Sequence, residues 1–132
     1  IAGLAEGCRY LLNHGVESIY EHDKKLLGIF LNELSGIRGI QLYGLETADN
    51  HTAVLSVNID GMDSSQLGTV LEEKYGIQTR IGLHCAPLAH KTLNTFPHGT
   101  VRFSWGWATR EREIVKAAAT LNKINSGLRS GV

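Results

Sequence analysis

The stretch Ala53-Val54-Leu55-Ser56-Val57-Asn58-Ile59 alternates apolar and polar side chains, and nothing else in the sequence narrows the fold as far. A period of two is that of a strand with one buried face and one wet face. Such strands belong to sheets covered on a single side, which is how antiparallel sheets are commonly built. Residues 39–43, 77–81 and 100–105 are further short strand candidates. In the last of them Val101, Phe103 and Trp105 share one side, while Arg102 and Ser104 take the other.

Helical periodicity fills the intervals. Ile1, Leu4, Ala5, Cys8, Leu11 and Leu12 recur with a 3.6-residue period that Asn13-His14-Gly15 ends. A longer helix is expected over residues 16–34, with Ile19, Tyr20, Leu26, Leu27, Phe30, Leu31 and Leu34 inward and Glu21, His22, Asp23, Lys24 and Lys25 on a solvated face, closed by Ser35-Gly36. Residues 46–51, from Glu46 to His51, read as a polar turn. Asp63 and Gln66 resemble a capping box before a helix with Leu67, Val70, Leu71 and Tyr75 inward and Gly76 as its stop. Thr109 is suited to cap a last helix with the stripe Ile114, Ala117, Ala118, Leu121 and Ile124, ending at Ser126-Gly127. Four strands among four helices, without a regular strand-helix-strand repeat, predict an α+β two-layer domain: an antiparallel sheet of about four strands covered by helices.

Composition excludes several function classes. The chain of 132 residues suits one domain, and its 13 basic and 13 acidic residues cancel, so a nucleic-acid surface is not expected. No apolar run approaches the length that spans a bilayer, and no signal sequence is evident, which points to a cytoplasmic chain without a membrane partner. The sequence starts at Ile1 and is helical in pattern from there, so the expectation is a fragment. With two cysteines there is no disulfide framework. Cys8, on an apolar helix face, reads as a small buried hydrophobe.

Chemistry concentrates in Arg80-Ile81-Gly82-Leu83-His84-Cys85-Ala86-Pro87-Leu88-Ala89-His90, where Gly82 and Pro87 suggest a loop. A thiol becomes a nucleophile as thiolate, which needs access together with a positive charge, a base or free backbone N–H groups. Arg80 supplies charge, and His84 or His90 a proton acceptor, beside Cys85. The same residues with His98 are possible zinc ligands, but His84 and Cys85 are adjacent and no closely spaced cysteine pair exists, so no metal site is expected. Arg102 is suited to bidentate pairing with a carboxylate. Trp105 reads as core and Trp107 as a partly exposed aromatic, and Lys91 as an ordinary surface lysine.

The run Arg80-Ile-Gly-Leu-His-Cys-Ala-Pro, with Leu88-Ala-His90-Lys-Thr and Thr100-Val-Arg102-Phe-Ser104, strongly resembles the C-terminal small domain of cysteine desulfurases in the class-V aminotransferase group. The resemblance implies a pyridoxal-phosphate enzyme that takes sulfur from L-cysteine, leaving alanine and a persulfide on the loop cysteine. It implies that Cys85 is the nucleophile, that Arg102 clamps the substrate carboxylate, and that Arg80 and His84 support the loop. The cofactor-binding lysine, by the same resemblance, belongs to a preceding larger domain, through which the parent would form a homodimer. The fragment alone is then expected to be inactive. Selenocysteine or cystine lyase chemistry remains open, as does a persulfide carrier serving a sulfur-acceptor protein. After Gly106 the chain reads Trp107-Ala108-Thr109, where the family commonly has an aromatic followed by Asn-Thr.

Overall fold

The computed structural model describes residues 1–44 and 47–130. The elements run α1 (Ala2–His14), α2 (Val16–Leu34), β1 (Ile40–Tyr43), β2 (Val54–Ile59), α3 (Ser64–Tyr75), β3 (Arg80–Gly82), α4 (Pro87–Thr92), β4 (Thr100–Ser104) and α5 (Glu111–Ser130). The strands form one antiparallel sheet in the order β1-β2-β4-β3. This is the two-layer α+β architecture that the alternating strands predict.

The register explains why one side of the sheet is dry. Leu55, Val57 and Ile59 of β2 and Val101 and Phe103 of β4 are buried against Leu26, Leu27, Phe30 and Leu34 of α2, Leu67 and Leu71 of α3, and Ile114, Ala117, Ala118, Leu121 and Ile124 of α5. The Phe30 ring meets Phe103 edge-on at 5.3 Å between centroids and Trp105 at 6.1 Å, which are favourable aromatic geometries. A Cβ on Gly68 would lie 2.3 Å from Ile81 Cδ1, so a larger residue there would force the Ile81 side chain to move.

The helix ends depart from expectation in instructive ways. Asp63 caps α3 by accepting from the Ser65 N–H, and that bond does not involve Gln66. Thr109 does not cap α5; its hydroxyl accepts from Gly106 N–H in a turn, while Glu113 accepts from Arg110 N–H at the helix start. α5 continues through Ser126-Gly127 to Ser130, because Leu128 still packs against the core and one glycine is not enough to stop a helix with such support. Of the expected polar turn, Glu46 lies outside the described residues, and Asp49 pairs with Lys24 at 2.6 Å.

Two predicted burials are reversed. No residue of α1 is buried: Leu4, Leu11 and Leu12 are exposed, and so is Cys8, because α1 lies beyond the sheet's helical layer and meets the rest chiefly along α2. His22 is half-buried instead of solvated. Its Nε2 lies 3.0 Å from the Thr109 carbonyl and its ring stands edge-on to Trp107 at 5.1 Å, with His14 on the same indole at 5.5 Å.

Candidate functional site

The stretch from Arg80 to His90 is more ordered than a loop. Arg80–Gly82 is strand β3, and Pro87 opens the 6-residue helix α4, a place where its missing N–H and fixed φ suit it. Only residues 83–86 are irregular, and they form a turn closed by Ala86 N–H donating to the Leu83 carbonyl at 2.8 Å. Its central residues are His84 with φ 51° and Cys85 with φ 61°. Among the described residues the other non-glycine positions with positive φ are asparagines, Asn50 and Asn94, which tolerate that conformation. Two successive left-handed non-glycine residues each carry strain of about 1–3 kcal/mol and persist only where their surroundings hold them.

The turn lies by the wet face of the sheet. Arg80 pairs with Arg102 in register, so the two guanidinium side chains project from the same side of neighbouring strands. Arg80 Nη2 lies 3.8 Å from Cys85 Sγ, within reach of a weak N–H···S hydrogen bond, and Cys85 is exposed. His84 Nε2 lies 3.2 Å from Thr100 Oγ1 on β4. Sequence reasoning passed over Thr100; its place two positions before Arg102, on the same side of one strand, was the available signal.

The arginine face carries unbalanced positive charge. Neither Arg80 nor Arg102 has a carboxylate partner among the described residues. Arg102 Nε, His84 Nδ1 and Asn58 Oδ1 are buried with no hydrogen-bond partner among them. Burial first, and then the Arg102 guanidinium and the neighbouring His90 ring, hold the His84 imidazole below its ordinary 6.5; Thr100 pulls the other way, and Arg80 adds the smallest push. Like charges directly opposite on a sheet repel. A planar anion is the natural complement, because a carboxylate receives bidentate hydrogen bonds from guanidinium groups.

The remaining histidines have structural partners. His90 is buried, with Nδ1 2.7 Å from the Thr95 hydroxyl, and His98 pairs with Asp63 at 2.9 Å. Among the described residues no group of three or more His, Cys, Asp and Glu is arranged to hold a metal ion. No described helix is long and apolar enough to cross a membrane.

The family model for aminotransferase class-V matches residues 1–116. The chain belongs to the class-V aminotransferase family. A probable cysteine desulfurase of Methanothermobacter thermautotrophicus is 34% identical over 123 residues, covering 92% of this class-V chain and 30% of the relative. The cysteine desulfurase of Wigglesworthia glossinidia brevipalpis is 30% identical over 131 residues, covering 98% and 30%. The solved apo cysteine desulfurase from Thermococcus onnurineus NA1 superposes with a TM-score of 0.88 at 27% identity, over 95% of this chain and 30% of that one. Escherichia coli cysteine desulfurase CsdA shares the fold, with a TM-score of 0.69 at 19% identity, over 86% and 27%. This class-V chain therefore spans less than a third of the length of these relatives.

Class-V aminotransferases are pyridoxal-phosphate enzymes. The residues described at the arginine face include no lysine to hold the cofactor. Lys24, Lys25, Lys74, Lys91, Lys116 and Lys123 all lie on helices, and none is on the strands that carry Arg80 and Arg102. What the arginine face fits chemically is a carboxylate.

Proposed function

We propose that this chain is the substrate-gripping and thiol-bearing part of a cysteine desulfurase, which takes the sulfur of L-cysteine onto Cys85. The observation that carries the reading is the cross-strand arginine pair without an internal carboxylate, beside an exposed thiol on a strained turn. Arg102, whose Nε is buried and unpartnered, receives the substrate carboxylate; its place in the sheet interior gives that grip a fixed position.

The Cys85 thiolate then attacks the sulfur of the bound amino acid. A sulfur–sulfur bond forms and the carbon–sulfur bond breaks. Its electron pair stays with the carbon, which is protonated to the methyl group of alanine, and Cys85 is left as a persulfide. Arg80, beside Sγ, stabilises the thiolate and the persulfide anion, and a neutral His84 adds no third positive charge to the site. Pyridoxal phosphate, held by the remainder of a homodimeric enzyme, supplies the electron sink that makes the carbon–sulfur bond labile. Exposure of Cys85 leaves the persulfide open to a sulfur-acceptor protein.

The test is intact-mass analysis of the full-length enzyme after incubation with L-cysteine. An adduct of about 32 Da, one sulfur atom, is expected on Cys85 and absent from Cys85→Ala. The 132-residue chain with added pyridoxal phosphate and L-cysteine is expected to release no alanine. An adduct that survives Cys85→Ala, or alanine release by the chain alone, overturns the reading.

A further inference from the structure

We propose that Thr100 is a positioning residue: its hydroxyl fixes the His84 imidazole and thereby holds the turn that presents Cys85 over the arginine face. The inference rests on Cys85 being the sulfur-carrying thiol.

The turn has little of its own to keep its shape. Its backbone closes through the single bond from Ala86 N–H to the Leu83 carbonyl, around two residues in the left-handed region. Conformations of that kind relax unless something outside holds them. The ties that its side chains make are the long contact between Arg80 Nη2 and Cys85 Sγ at 3.8 Å and the contact between His84 Nε2 and Thr100 Oγ1 at 3.2 Å. The first involves a weak acceptor, so the second is the principal anchor.

Thr100 is well placed for that work because it is itself immobile. It is 1% exposed, lies opposite Gly82 in the β3–β4 ladder, and has His84 as the partner of its hydroxyl. The residue before it is locked as well. A Cβ on Gly99 would lie 2.2 Å from the Gly82 carbonyl, and the Gly99 carbonyl accepts from Asn58 Nδ2 at 3.1 Å. The anchor therefore belongs to the strand that carries Arg102, so one rigid element sets both the carboxylate grip and the place of the thiol. The charged and titratable groups around the imidazole are Arg80, Arg102 and His90, all of which favour its neutral form, the form able to make this bond without repulsion from the arginines.

Thr100→Val keeps the shape and removes the hydroxyl, and Thr100→Ser keeps the hydroxyl. In the 132-residue chain, amide hydrogen exchange of Ala86 is followed by NMR against that of buried Leu67; in the full-length enzyme, kcat and KM for L-cysteine are measured. The valine variant should speed Ala86 exchange and lower kcat by about tenfold each, the effect of one net hydrogen bond, with KM and Leu67 unchanged. The serine variant should stay within about twofold of wild type on both readouts, since it retains the bond. Wild-type Ala86 exchange in the valine variant, or acceleration at Leu67 as large as at Ala86, overturns the proposal. Should wild-type enzyme fail to desulfurate L-cysteine, the desulfurase reading falls by itself, and the exchange contrast still decides the role of Thr100.

Discussion

The two faces of one sheet follow opposite rules. Toward the helices, Leu55, Val57, Ile59, Val101 and Phe103 are buried among apolar neighbours, and each gains from every contact it makes. On the other face, the alternate residues of the same strands leave Asn58 Oδ1 and Arg102 Nε without partners and set Arg80 against Arg102. The first face is almost wholly apolar, with Asp23 Oδ1 and Thr79 Oγ1 as its unpartnered polar atoms among the described residues; the second also sets two guanidinium groups side by side. What sets the second face apart is the pair of like charges that folding alone leaves without a carboxylate partner among the described residues.

The comparison breaks or sharpens through substitutions on each face. Cys85→Ala should abolish persulfide formation entirely, yet leave stability within about 0.5 kcal/mol of wild type by urea unfolding, as for other exposed sites. Phe30→Ala, in the core, should lower stability by about 3–5 kcal/mol in the same measurement. Arg102→Met reverses that division: kcat/KM for L-cysteine in the full-length enzyme should fall roughly 30- to 150-fold, the loss of about 2–3 kcal/mol of charged hydrogen bonding. Stability should hold or rise, because the repulsion from Arg80 disappears. A stability loss like that of Phe30→Ala would mean that the arginine face is ordinary structure.

Smaller effects concern pH. His84 titrates below 6.5 in the folded chain, so the unfolded chain binds its proton first, and stability should decline as pH falls below 6.5. His84→Asn, which tolerates the left-handed turn, should flatten that decline in melts collected between pH 7 and 5. Asp63 is the mildest case. The Ser65 backbone N–H, before its other partners, holds its carboxyl below 3.8. Its contribution is thus complete above about pH 4 and lost in more acid solution, and Asp63→Ala should remove that acid-side slope.

Much of the core could be read from spacing, because a period of two with apolar residues at Leu55, Val57 and Ile59 leaves one choice of inward face. The same reasoning misjudged Cys8 and Leu4. Periodicity identifies an apolar stripe but not what covers it, and α1 lies outside the layer that covers the sheet. His22 was misjudged for the converse reason: its neighbours in sequence are polar, but the partners that half-bury it, Trp107 and Thr109, are far along the chain. Within the site, Arg80, His84, Cys85 and Arg102 were legible as residue types. Their geometry was not, because a turn with positive φ at His84 and Cys85 departs from the glycine and asparagine preference on which sequence reading of turns depends. Thr100 stayed hidden because a threonine in a strand is ordinary until the register shows what stands beside it.

The order β1-β2-β4-β3 gives the two parts of the site different freedom to change. Arg102 sits on a strand hydrogen-bonded along both edges, so an insertion there would disrupt two ladders at once. Cys85 rides on a turn outside the sheet, where added length leaves the ladders intact. Length in residues 83–86 can therefore vary without disturbing the ladders that hold Arg102, so the reach of Cys85 is the more freely altered of the two.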